Sequence, residues 1–485
     1  VRRKPRADAG GLGVGVALAL LALTTLGVAG ARREPTLALE SARLVGGSAV
    51  DDCDAVDVDR RGAVYLGCHS DSADLPRGRS SGYVIKGDLD ALVFKLAPDG
   101  TRVEYLAHVG GSGWEAVQDV AADRDGAAYA VGTTYSSNLP ASQGAFQRGY
   151  AGGEGDAFVA RLGPDGGVEW ITYLGGSGLD DGRRVVVDAD GNAIVVGRTA
   201  SSDFPTTANA LQPRPPGGSD AFVASFDASG RLLSSTYLGG AGDDVAWGVA
   251  LDRAGNVHVA GQTASADFPL ARPLQETLRG EGDCFLAILD ASGRQLLFSS
   301  YWGGTAWDQA NGLAVDRAGR IYLAGWVHSP DFPVTPGAFQ RSYGGSHDAF
   351  VSAFDALGRG LRYSTYLGGE RDDSAAQIAV DPLGRAFVVG GTESTRFPTR
   401  RALQAELRGT KDGFAAWLSA DGSAALFSSY LGGGDRELFE DAAALRDGFV
   451  VSGLTASRDF PVAASATGFR GGSYDALWLS FRVRN

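Results

Sequence analysis

The chain has 485 residues, 44% apolar and 21% charged, with a formal net charge of −13. That composition is globular and excludes bulk disorder. The acidic balance argues against nucleic-acid binding, which would call for basic patches. Glycine, at 71 residues, is about twice its usual share, yet no Gly-X-Y period accompanies it.

Arg2, Arg3, Lys4 and Arg6 precede an uncharged run over residues 10–31. A basic flank followed by an apolar run reads as an export signal. Ala29, Gly30 and Ala31 are the small residues a signal peptidase needs, so cleavage after Ala31 is expected. The alternative is an uncleaved membrane anchor, because 22 residues suffice to span a bilayer. Both readings make the protein exported: extracellular, periplasmic or on the cell surface. They confine any membrane contact to this segment.

From residue 36 onward one phrase recurs: LVGG (44–47), HVGG (108–111), YLGG (173–176), YLGG (237–240), YWGG (301–304), YLGG (366–369) and YLGG (430–433). The spacing is 64 or 65 residues each time. Such regularity means one repeat architecture, not several domains. Each unit carries an apolar segment ending in Asp, such as GVALD (248–252), and then a D-x-x-G turn. A second segment such as NVHVAG (256–261), a loop built on S-x-D-F-P, and a third segment opening with Asp follow. A fourth, such as LLSSTYL (232–238), leads into Gly-Gly. The runs are short, β-branched or aromatic, and punctuated by Gly, Asp and Pro, so they read as strands. Four strands in each of seven units predict an all-β, seven-bladed β-propeller over 36–485. The seventh unit ends after its third strand (475–483), while residues 36–45 lie where a fourth strand belongs. The two are expected to pair and close the ring, which also protects the sheet edges.

The phrases STYLGG (235–240, 364–369), ASADFP (264–269), PDFPVTPGAFQ (330–340) and GGSHDAFVSAF (344–354) resemble the SBBP (seven-bladed β-propeller) repeat proteins of bacteria. The resemblance covers essentially all of residues 36–485. It implies a secreted or surface-associated propeller, and it implies no catalytic residues and no defined ligand.

Four residues after the second Gly an acid stands in every unit: Asp51, Glu115, Asp180, Asp244, Asp308, Asp373 and Glu437. Carboxylates suit hard cations, so calcium is the candidate metal, although no cofactor is required. The competing reading has each carboxylate accept N–H bonds within its own Gly-rich loop, and a feature of every repeat usually serves the fold. A second sevenfold acid (Asp90, Asp156, Asp220, Asp283, Asp348, Asp412, Asp475) opens the third strand and is expected to anchor the preceding loop.

Where repetition marks the fold, exceptions mark function. Trp114, Trp307 and Trp326 are placed in loops on the acidic face as candidate sugar- or peptide-binding residues. Trp247, Trp302 and His258 are assigned to the core. No H-E-x-x-H, nucleophile elbow or Walker loop occurs. Cys53 and Cys68 flank the first hairpin. A four-residue turn would set them opposite each other; a three-residue turn with a bulged Gly62 would offset them by one. Their disulfide is left open by the sequence. The reading is an exported, monomeric, non-catalytic binding or scaffold propeller that recognises a protein or glycan through its loop face. A carbohydrate-active hydrolase or lyase using loop carboxylates, and a purely structural surface component, are the alternatives.

Overall fold

A computed structural model describes residues 35–76, 85–461 and 472–484. The predicted export segment lies outside the described residues, as does part of the loop at 77–89. The described chain forms seven sheets of four antiparallel strands each. Blade 1 runs through Asp51–Val58, Val64–Ser70, Asp90–Leu96 and Val103–Val109. Blades 2 to 6 repeat that order, and the sheets form a ring with almost no helix. Among the described residues no helix is long and apolar enough to cross a membrane.

The ring closes as expected. Thr36–Leu44 pairs antiparallel with Asp475–Arg484, from Thr36↔Arg484 to Leu44↔Leu477, and completes blade 7. The core lies between blades, where inward faces interdigitate. Phe204, Phe222 and Tyr237 form one such aromatic cluster. This explains the recurring D-F-P loop: its Phe packs on the sheet, and the Tyr of YLGG ties the loop down. Tyr237 Oη donates to the Ser201 carbonyl at 2.8 Å.

The D-x-x-G turn is the three-residue form. Asp59 Oδ1 accepts the Arg61 and Ala63 N–H groups, and Gly62 takes φ +84°. That turn alone would offset Cys53 and Cys68 by one residue. A bulge between Asp52 and Ala55 restores the register, and the two cysteines are joined by a disulfide. His258 and Trp302 are buried, as expected.

Deleting residues 36–45 removes the outer strand of blade 7 and exposes the long edge of Asp475–Arg484. Loss of the cooperative melt, or aggregation, is expected on thermal unfolding. A truncated protein that melts like the full chain would contradict closure by this strand.

Candidate binding channel

The sevenfold acids are buried, at 0–2% exposure, and therefore form no acidic surface. In blade 3, Asp180 Oδ2 accepts the Gly176 N–H and the Ser201 hydroxyl, each at 2.7 Å. Asp51, Glu115, Asp244, Asp308, Asp373 and Glu437 accept the N–H of Gly47, Gly111, Gly240, Gly304, Gly369 and Gly433 at 2.6–2.9 Å. A hydroxyl closing the second strand supplies a further donor: Ser70 to Asp51, Thr134 to Glu115, Thr392 to Asp373 and Thr455 to Glu437. Each acid thus binds its own loop. Among the described residues no three His, Cys, Asp or Glu side chains converge as a metal set. The Gly-Gly pair follows from this crowding. A Cβ on Gly175 would stand 2.5 Å from Asp156 Oδ1 and 2.8 Å from Asp180 Oδ2.

The second sevenfold acid anchors the loop before it. Asp90, Asp283, Asp348 and Asp412 each accept the N–H of the residue four positions back. In blade 3 that residue is Pro216, which has no N–H, and neither Asp220 oxygen finds a hydrogen bond of ordinary geometry. Burial pushes the Asp220 carboxyl up to about 7.

A β-bulge interrupts the inner strand of every blade, and it builds the channel. The register shifts between Val117 and Asp119, Gly182 and Arg184, Ala246 and Gly248, Ala310 and Gly312, Ala375 and Gln377, and Phe439 and Asp441. The unpaired residue leaves the ladder and is re-aimed. In blades 2 to 7 the bulge presses a carbonyl against the neighbouring strand, so only glycine fits there, whereas a Cβ on Gly67 of blade 1 would meet Val117 and Ala55 side chains. A Cβ on Gly132 would stand 1.8 Å from the Ala116 oxygen, and one on Gly197 would stand 1.9 Å from that of Asp181.

The residue at the bulge, three after the ring acid, differs in all seven blades: Asp54, Gln118, Arg183, Trp247, Asn311, Ala376 and Glu440. All seven line one cavity of about 400 Å³, together with Arg184 and Gln309. Two positions further along, Val56, Val120, Val185, Val249, Leu313, Ile378 and Ala442 form an apolar collar around a second cavity of about 440 Å³.

The polar ring is wired across blades. The Arg183 guanidinium lies 4.4 Å from the Trp247 ring centre and 3.2 Å from Asp181 Oδ2. Gln118 Nε2 donates to Asp54 Oδ2 at 3.2 Å, and Asn311 Nδ2 donates to the Ala375 carbonyl at 2.8 Å. Arg184 stands 3.6 Å from both Asp119 and Asp441, joining blades 3, 2 and 7. Burial pushes the carboxyls of Asp54, Asp119 and Glu440 up to about 7, and for Glu440 the Asp54 carboxylate adds repulsion.

Trp114 precedes the first strand of blade 2, whereas Trp307 and Trp326 both belong to blade 5, where the Trp307 carbonyl accepts the His328 N–H at 2.9 Å. Trp114 is 36% exposed and meets Tyr135, itself 44% exposed, at 5.1 Å between ring centres. Trp307 is half-buried and covers Gly282, whose added Cβ would stand 3.1 Å from the indole. Trp326 lies in the strand Ile321–Val327 and not in a loop, because it pairs with Gln309; its ring meets His328 and His347 at 5.1 and 5.5 Å. Trp247, assigned to the core from sequence, lines the channel because the bulge turns it out of the sheet.

Blade 5 tests the ring of acids. Val327 stands where the other blades have a strand-closing hydroxyl, and Asp308 Oδ1 is buried without a partner, as are Asp180 Oδ1 and Asp244 Oδ1. Burial pushes the Asp308 carboxyl up to about 7. A raised carboxyl favours the fold below its unfolded value and loses that contribution as pH rises through about 7. Val327→Thr supplies a donor to the carboxylate. The variant is expected to gain about 1 kcal/mol at pH ~8 and less at pH ~4, measured by urea unfolding at both. A loss of stability at the higher pH would contradict the account.

Three segments, 169–205, 235–269 and 362–398, match the SBBP Beta-propeller repeat family. The Regulatory protein FlaEY of Caulobacter vibrioides is 27% identical over 252 residues, which is 51% of this chain and 25% of that protein. The match therefore spans about a quarter of that relative's length. Among solved structures, a protein of unknown function from Dyadobacter fermentans is 11% identical, covering 93% of this chain and 100% of that one, with a TM-score of 0.41. Hydrazine synthase of Kuenenia stuttgartiensis is 8% identical, covering 85% of this chain and 93% of that one, with a TM-score of 0.45. The three matched segments carry the SBBP beta-propeller repeat, and they lie within a ring of seven like blades.

Proposed function

We propose that the chain is an exported, non-catalytic binding propeller that takes a glycan at the Gly-Gly end of its channel. One observation carries this reading. The positions that hold the fold repeat, whereas the bulge positions are seven different residues that converge on one cavity. A cavity of about 400 Å³ is of small-ligand size. Carboxylates, amides and a guanidinium suit hydroxyl groups, and the exposed Trp114–Tyr135 pair offers a stacking platform. The ring acids are spent on internal donors, which takes them out of hydrolase chemistry and leaves Asp54 and Glu440 as the carboxylates that line the cavity. Export is supported by the Cys53–Cys68 disulfide, a bond that persists in oxidising compartments.

Glycan-array screening followed by a turnover assay tests the proposal. Binding without turnover is expected. Trp114→Ala should weaken it roughly tenfold with the melting temperature unchanged. Hydrolysis of the bound glycan would overturn the non-catalytic reading. Capture of a protein by the same face, with no glycan bound, would overturn the glycan.

A further inference from the structure

At the Gly-Gly end, the residue before each ring acid offers its carbonyl to the N–H of the residue that follows the second strand. This bond recurs in all seven blades at 2.8–3.3 Å. In blade 2 the pair is Trp114 and Tyr135, and in blade 5 it is Trp307 and His328. No other blade has an aromatic side chain at either position. The fold does not demand aromatic rings there, because the other five blades make the same bond without them.

Each pair belongs to a platform that runs into the channel wall. The Trp114 ring, already in contact with Tyr135, also meets His69 of blade 1 at 6.3 Å between ring centres. His69 Nδ1 lies 3.5 Å from Asp54 Oδ2, and Asp54 lines the cavity. In blade 5 the rings of Trp326, His328 and His347 lie 5.1–5.5 Å from one another. His328 is exposed, Trp326 is half-buried, and His347 Nδ1 is held 3.2 Å from Asp372 Oδ1. Trp326 pairs in register with Gln309, which lines the cavity and donates to Asn311 Oδ1 at 2.6 Å. Two aromatic platforms thus join the same polar cavity, one through Asp54 and the other through Gln309.

Blades 2 and 5 stand three steps apart, the widest separation that a ring of seven allows. Sheets packed about 10 Å apart in such a ring set the two blades roughly 20 Å from each other across the channel mouth. No single sugar ring covers that span, whereas a chain of several does. A pyranose offers apolar C–H faces to aromatic rings and hydroxyls to carboxylates and amides, and the mouth presents aromatic, polar and again aromatic groups in that order. We infer that the channel mouth binds a linear oligosaccharide side-on. One end of the chain stacks on Trp114 and Tyr135, the other stacks on Trp326 and His328, and its middle units lie over the ring of bulge residues. The inference rests on the glycan reading of the channel and specifies the form of the glycan: a chain that crosses the mouth, not a terminal sugar that enters it.

Calorimetric titration of the protein with cello-, xylo-, manno- and chito-oligosaccharides, each from disaccharide to octasaccharide, tests this. In the series that binds, affinity is expected to rise roughly 100-fold from disaccharide to octasaccharide, because the second contact becomes intramolecular once the chain reaches both platforms. Trp326→Ala and His328→Ala should each remove most of that rise and leave the disaccharide bound. His328 is exposed and meets Trp307 through its backbone N–H, so its variant is expected to melt like the parent even where Trp326→Ala does not. A flat affinity along a series that Trp114→Ala weakens at every length would overturn the crossing chain and leave the glycan site standing. So would a rise that survives both blade 5 substitutions. Binding of no series at any length would overturn the glycan reading and this inference together.

Discussion

A carboxylate buried where one blade hands over to the next is the interaction on which this ring depends. Removing such a charge from water costs several kcal/mol unless donors replace the lost hydration. Here the replacement comes from a glycine N–H seven times over, joined in five blades by a serine hydroxyl of the adjoining loop and in the other two by the strand-closing Thr134 and Thr455. The acid therefore ties the end of one blade's outer strand to the start of the next blade's inner strand. The glycines are glycines because the carboxylates leave no room for a Cβ. Burial raises the proton affinity of these carboxyls even where donors are present: Asp348, which accepts the Gly344 N–H, is pushed up to about 7, as is Asp220, whose loop has a proline at that position.

From that anchored start the inner strand runs three residues and bulges. The bulge has two consequences. It demands a glycine on the paired strand, which accounts for the Gly ending segments such as NVHVAG (256–261). It also turns one side chain per blade out of the ladder and toward the axis. Rigid, repeated backbone thus presents a ring of seven unlike side chains, the arrangement expected of a site held by a scaffold. Asp54 and Glu440 face each other's charge there, while Arg183 is spread over Trp247 and Asp181.

The fold was almost fully legible in the sequence, because each of its constraints recurs. The spacing of the Gly-Gly phrases, the D-x-x-G turns and the orphan segment at 36–45 all have the places they suggested. The channel was not legible, although its signal was present. Aligning the units on the ring acid shows position three taking seven different residues, a pattern that stands out only once a bulge is known to lie there. Without the bulge, strict alternation sends Trp247 into the core and leaves Cys53 and Cys68 one residue out of register. Attention to loop tryptophans found Trp114 on the rim but overlooked the ring beneath it.

The account separates positions that hold the ring from positions that face a ligand, and blade 2 offers both within three residues. Glu115 accepts the Gly111 N–H and the Thr134 hydroxyl, whereas Gln118 stands at the bulge and lines the cavity. Denaturant unfolding of Glu115→Ala and Gln118→Ala against the parent chain is the most direct measurement. The account predicts a loss of about 2–4 kcal/mol for Glu115→Ala, which strands two buried donors, and a change within about 0.5 kcal/mol for Gln118→Ala. Equal losses at the two positions, or a larger loss at Gln118, would contradict it.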